Sequence, residues 1–170
     1  IVDRNNVHNF PHAATYAKKT GTKIIYGCEL NVLDDSYTLA KNVFDQDLSV
    51  GEYVVFDIET TGLHNEFDEL IEFGGIKIKN NKVVDTIDFF IKSPKPIPDE
   101  LVLKTHITNE MIQEHGRDYL ASLKHIKEWI GDAILIAHNG INFDYRFLNK
   151  KFEQHKLPLL TNAIIDTMEV

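Results

Sequence analysis

Tyr53-Val54-Val55-Phe56-Asp57-Ile58-Glu59-Thr60-Thr61-Gly62-Leu63 decides how the rest of the chain is read. β-Branched and aromatic residues fill its first half and polar residues enter only at its end, which predicts a buried strand over residues 53–59. Gly62 marks the turn that follows. Side chains two apart on a strand share a face, so Asp57 and Glu59 are expected side by side. Two carboxylates placed so close repel one another, and a divalent cation is the common remedy. Chance alone produces such a pair in a chain of 170 residues about half the time, so the pair gains weight only with other acidic groups.

Working outward, residues 70–79 and 83–91 predict two more strands, joined by Asn80-Asn81 as a tight hairpin. Pro94, Pro96 and Pro98 space out an extended loop. Thr108 is an N-cap candidate for a short helix through residue 114. Leu120, Leu123, Ile126, Trp129 and Ile130 recur at helical spacing, which predicts an amphipathic helix over 118–130 ended by Gly131. Residues 133–137 read as a buried strand and 144–155 as a helix, with Phe143, Phe147, Leu148 and Phe152 toward the core. Residues 163–165 read as a last strand. Three strands followed by alternating helices and strands predict an α/β fold, a mixed sheet flanked by helices. Ahead of it, residues 11–19 read as a helix stopped by Gly21, and 23–32 as a strand. The expected organisation is a block over 1–36, a connector over 37–52 and a second block over 53–170.

Composition narrows the class. With 43% hydrophobic and 26% charged residues the chain is globular rather than disordered. No apolar run approaches the roughly 20 residues of a membrane span, and the first residues lack the pattern of a secretory signal, so no membrane partner is expected. Cys28 is the only cysteine, which excludes internal disulfides and fits a reducing, cytoplasmic setting. The net charge of -8 argues against broad coating of nucleic acid. It remains compatible with an enzyme that grips a few phosphates through bound cations. The chain opens without Met, on residues that read as a strand end, so it is expected to be a piece of a longer protein.

A third carboxylate lies in His138-Asn139-Gly140-Ile141-Asn142-Phe143-Asp144, directly after a buried strand, where α/β sheets bind ligands. Helix capping by Asn142 or Asp144 is the competing reading. Asp57, Glu59 and Asp144 converging on a shared divalent ion would make a two-metal phosphoryl-transfer centre.

These segments together resemble the DnaQ-like (DEDD) 3′–5′ exonucleases. Residues 56–63 resemble the family's first motif, and 137–144 its second. Ile71-Glu72-Phe73-Gly74-Gly75-Ile76, Thr105-His106-Ile107-Thr108-Asn109-Glu110-Met111 and Ile165-Asp166-Thr167 resemble further segments, in the same order. The resemblance spans residues 53–170 and implies a ribonuclease H-like fold. It implies Asp57, Glu59 and Asp144 as catalytic ligands of two Mg²⁺ or Mn²⁺ ions. Thr60, Thr61 and Leu63 would line the terminal nucleotide, with His106 and Asn142 as substrate neighbours. Glu72 would support the site, and His138 stands beside it without an assigned role as base. The family's third motif, a histidine or tyrosine before a last aspartate, has no counterpart before Val170. The exonuclease block is therefore expected to be C-terminally incomplete, and this chain slower on DNA than one extended through that motif.

Residues 2–7, Phe10-Pro11-His12-Ala13 and 25–31 resemble part of a polymerase-and-histidinol-phosphatase (PHP) domain. By that match Asp3 and Glu29 are remnants of PHP metal-site positions, with Arg4 where the family has a histidine. An exonuclease directly after such a segment resembles the PolC type of bacterial DNA polymerase III. The resemblance implies proofreading of a DNA 3′ end, with the remainder of the polymerase chain and replisome proteins as partners. The alternatives are a free-standing exonuclease acting on RNA or DNA ends and an inactive exonuclease-like binding module.

Overall fold

The structure is a computed structural model that describes residues 1–4, 6–29, 38–43 and 51–169. The chain divides into two compact units, Ile1–Tyr37 and Thr38–Val170. In the first, β1 (Val2–Arg4) and β2 (Gly27–Glu29) pair in parallel, Asp3 opposite Cys28 and Arg4 opposite Glu29. The crossover between them is α1 (Phe10–Thr20), with Pro11 in its first turn. Gly21 ends α1 in the left-handed region at φ 70°, its N–H donating to the Ala17 carbonyl at 2.9 Å. The strand expected over 23–32 starts only at Gly27, because β1 offers three residues to pair with. Its expected end at 30–32 lies outside the described residues.

The second unit holds a six-stranded sheet: β3 (Ala40–Lys41), β4 (Glu52–Thr60), β5 (Leu70–Lys79), β6 (Lys82–Phe90), β7 (Ile134–Ala137) and β8 (Ile164–Asp166). Their order across the sheet is β3-β8-β7-β4-β5-β6. β4, β5 and β6 form an antiparallel meander, and β7 and β8 add in parallel on the other side of β4. The mixed sheet foreseen from sequence is thus formed. Asn80 and Asn81 both take left-handed φ values, 51° and 57°, as a tight two-residue hairpin whose twist matches its strands requires. β3 falls inside the stretch expected to be only a connector, and it pairs antiparallel with β8. Residues 44–50 of that stretch are outside the described ones.

Helices α2 (Asp99–Thr105), α3 (Asn109–His115), α4 (Tyr119–Ile130) and α5 (Asp144–Gln154) complete the unit. Thr108 and Asp118 cap α3 and α4, accepting from the N–H of Met111 at 3.2 Å and of Ala121 at 2.9 Å. α2 was not foreseen; the third of the spaced prolines, Pro98, serves as its N-cap residue, with Asp99 and Glu100 in its first turn. Leu120 of α4, expected in the core, is exposed instead.

Val54, Phe56 and Ile58 of β4, with Phe73 and Phe89, face a core built by Leu123, Ile126 and Ile130 of α4 and Phe147, Leu148 and Phe152 of α5. Burying each such side chain contributes about 1.5–3 kcal/mol. Gly75 lets α4 settle on the sheet, since a Cβ there would stand 2.8 Å from the Trp129 ring. A smaller core of Ile71, Ile97, Ile107 and Ile112 lies with α2 and α3. On the face of β4 turned away from α4 and α5, Val55 is partly exposed, and Asp57 and Glu59 follow it.

Candidate active site

β7 pairs with β4 only through Val55, opposite Ile136. Beyond that point the β7 side of β4 has no strand partner among the described residues, and Asp144, the first residue of α5, takes its place. The Ile58 N–H donates to Asp144 Oδ1 at 3.2 Å. Asp144 is only 2% exposed, and its carboxyl accepts from β4 as well as from its own N–H at the start of α5, so it does more than cap its helix. Its placement between a strand end and a helix start leaves the carboxyl poorly solvated. Burial first, and then the charge of Asp57, push it up to about 7.

Asp57 is the common neighbour of the acidic groups. Its charge also raises Glu59, after the larger effect of burial. Glu59 pairs in register with Glu72 on β5, and Asp57 with Gly74, which is itself opposite Asp88 on β6. Glu72 is pushed up to about 7 by burial, then by Asp88, Glu59 and Asp57. Gly74 leaves open space over this row, since nothing lies within 4 Å of where its Cβ would be. Asp57, Glu59, Glu72 and Asp88 line one cleft there, of about 150 Å³. Asp88 was missed from sequence because its place in the row depends on strand register.

Among the described residues, no three His, Cys, Asp or Glu side chains are gathered closely enough to hold a metal ion between them. The three carboxylates expected to converge are seen as two neighbouring pairs, Asp57 with Glu59 and Asp57 with Asp144. The donor set itself is hard oxygen at a site of mutual repulsion, which suits a hard divalent cation.

The expected substrate residues divide. Leu63, 80% exposed, and Asn142 line one cleft of about 200 Å³ with His64, Asn65, Phe143, Arg146 and Phe147. Arg146 was not singled out from sequence. Thr60 and Thr61 are buried and hold the turn: Thr60 Oγ1 donates to the Gly62 carbonyl at 2.6 Å, and Thr61 Oγ1 accepts from the Glu69 N–H at 2.9 Å. Gly62 is needed for space, not for an unusual φ, because the Asp68 carboxylate presses where a Cβ would stand. His106 is the exposed C-cap of α2, in the left-handed region at φ 60°. His138 shares an open groove with Asp57, Val55 and Ile76. Asp166 is buried and accepts from the N–H groups of Asn139, Ile141 and Met168 at 2.8–3.0 Å, which fixes the turn that leads to Asp144.

In the first unit, Asp3 and Glu29 are not brought together. Register puts Asp3 on the face of Cys28 and Glu29 on the face of Arg4. Asp3 accepts from the Asn9 side chain and N–H, which hold its carboxyl below the usual range, and Glu29 pairs with Arg4 at 3.0 Å.

Residues 54–170 match the family profile described as Exonuclease (RNase_T). The chain belongs to the exonuclease family. Its exonuclease relatives include the protein named DNA polymerase III PolC-type of Mycoplasma genitalium, 44% identical over 168 residues and 99% of this chain. The protein of the same name from Ureaplasma parvum is 46% identical over 171 residues and 100% of the chain. The chain spans 12% of the length of either relative. The fold is that of E. coli exonuclease I, solved in complex with a dA16 oligonucleotide, at TM-score 0.63 and 20% identity over 68% of this chain and 27% of that one. A zinc-ion-bound form of the E. coli enzyme with single-stranded DNA matches at TM-score 0.63 over 68% of this chain and 28% of that one. The exonuclease unit is thus ribonuclease H-like, as expected. None of the described helices is long and apolar enough to cross a membrane.

Proposed function

We propose that this exonuclease removes nucleotides from the 3′ end of a DNA strand, as the proofreading part of a PolC-type DNA polymerase III. The observation that carries the reading is Asp57 acting as common neighbour of Glu59 and Asp144 at the place where β4 outruns β7. Asp57, Glu59 and Asp144 would hold two Mg²⁺ or Mn²⁺ ions. When bound, these supply a more acidic water and neutralise charge at the scissile phosphate and the leaving 3′ oxygen. Leu63 and Asn142 would receive the terminal nucleotide in their shared cleft, with Leu63 against the base. Burial of Asp144 keeps bulk water from its carboxyl, so that it meets a bound cation with little competing solvation. Residues 1–36 would be a PHP-derived segment in which Asp3 and Glu29 are remnants, and the partners would be the rest of the polymerase chain and replisome proteins. Identity to the PolC-type relatives across both units supports this.

The test follows single-stranded DNA labelled at the 5′ or 3′ end, digested by the full-length protein with Mg²⁺ or Mn²⁺. Mononucleotides released from the 3′ end, and a loss of at least roughly 10²-fold on Asp57→Asn, are expected. Release from the 5′ end, or wild-type turnover by Asp57→Asn, would overturn the reading.

A further inference from the structure

Lys151 lies two turns along α5 from Asp144 and is 0% exposed, a position lysine takes only when paired. Its Nζ stands 3.2 Å from Glu69 Oε2 and 3.0 Å from Gln154 Oε1. The Tyr119 hydroxyl of α4 donates to the same Glu69 carboxylate at 2.7 Å and accepts from the Leu70 N–H at 3.3 Å. Glu69 is therefore gripped by two helices at once.

Glu69 also closes a loop. Its carbonyl accepts from the Thr61 N–H at 2.8 Å, and its N–H donates to Thr61 Oγ1 at 2.9 Å. The loop so closed carries Leu63, His64 and Asn65, one wall of the 200 Å³ cleft. The other wall, Asn142 to Phe147, belongs to α5 and the turn before it. Two further ties from α5 to this loop, Lys150 to Glu66 at 3.4 Å and Gln154 Nε2 to the Glu66 carbonyl at 3.0 Å, lie at the surface, where such contacts hold weakly. A buried ion pair is not the most stable filling for such a site, since an apolar pair of similar volume often does as well. What the charged pair adds is direction.

We propose that Lys151 is a positioning residue whose buried ion pair with Glu69 sets the distance between the two walls of the nucleotide cleft. This rests on the 3′-exonuclease reading above. Asp57 and Glu59 are held by β4, and Asp144 is fastened to β4 by the Ile58 N–H at the far end of α5 from Lys151, so loss of the tie acts on substrate affinity more than on turnover.

The experiment measures kcat and KM for 3′-terminal excision from a single-stranded oligonucleotide by the full-length protein with Mn²⁺. Lys151→Met is expected to raise KM on the order of tenfold or more while kcat stays within about twofold. Because that variant leaves Glu69 buried without its cation, Lys151→Met combined with Glu69→Gln is measured beside it. The neutral pair is expected to restore thermal stability and keep the raised KM. A wild-type KM in the double variant, or a loss of kcat alone in step with folded protein, overturns the inference. A wild type without 3′-exonuclease activity overturns the functional reading and this inference with it, whereas an active wild type with an unaffected KM overturns this one alone.

Discussion

Replacing Asp144 with Asn should make the chain more stable at pH 8 in the presence of a chelator, although it removes a proposed catalytic group. The native carboxyl is raised from 3.8 to about 7 by burial and by Asp57, so ionising it in the folded state opposes folding. At about 1.4 kcal/mol per pH unit, that opposition reaches on the order of 4 kcal/mol once the group is fully charged. Asn keeps an oxygen for the Ile58 N–H, but its amide N–H₂ gains no partner, which costs about 1–3 kcal/mol. A net gain of about 1–3 kcal/mol remains. The sign with pH follows from a raised acid: the folded state holds the proton more tightly than the unfolded one, so wild-type stability falls between pH 4 and 7 and then levels. The balance of Asp144→Asn against wild type should accordingly rise across that window, from a deficit of about 1–3 kcal/mol at its acid end to the gain at its alkaline end. Trp129, the single tryptophan and a buried one, reports the unfolding of this unit by fluorescence in a urea titration. Adding Mg²⁺ or Mn²⁺ should then stabilise the wild type by mass action and leave the variant nearly unmoved. A variant less stable than wild type at pH 8, or an advantage independent of pH, would refute the electrostatic account.

Gly75→Val should cost about 1–3 kcal/mol by forcing the Trp129 ring off the sheet, read as a lowered urea midpoint; an unchanged midpoint would mean that α4 yields freely there. Leu63→Ala should leave stability unchanged, since the side chain is exposed, and raise KM for oligonucleotide several-fold, on the order of 1 kcal/mol of lost apolar contact. Wild-type kinetics in that variant would remove Leu63 from the substrate cleft.

Much of the fold is legible locally. The alternation that buries Val54, Phe56 and Ile58 and turns Asp57 and Glu59 to the other face is written in eight residues. The Asn80-Asn81 turn and the caps Thr108 and Asp118 are also short-range chemistry, settled by backbone sterics and by one side chain reaching its neighbours. α2 escaped because its start lies among prolines that signal extended chain equally well. Thr60 and Thr61 are expected at the substrate from their place in a motif, yet their hydroxyls are engaged in the turn itself.

What the sequence by itself determined is therefore the period of most elements and the placing of Asp57 and Glu59 together on one face of β4. Only the tertiary structure decided which groups surround them. Glu72 and Asp88 join Asp57 and Glu59 because β5 and β6 pair in one particular register, and a slip of one residue would turn both to the other face. Asp144 reaches β4 because β7 stops pairing after Val55, leaving the Ile58 N–H to be satisfied from α5. Lys150 and Lys151 read alike in sequence, but only Lys151 is directed into the fold, where Glu69 and Tyr119 arrive from distant parts of the chain. Periodicity is a property of neighbours along the chain, whereas the charge that a buried group meets depends on which strands and helices close over it.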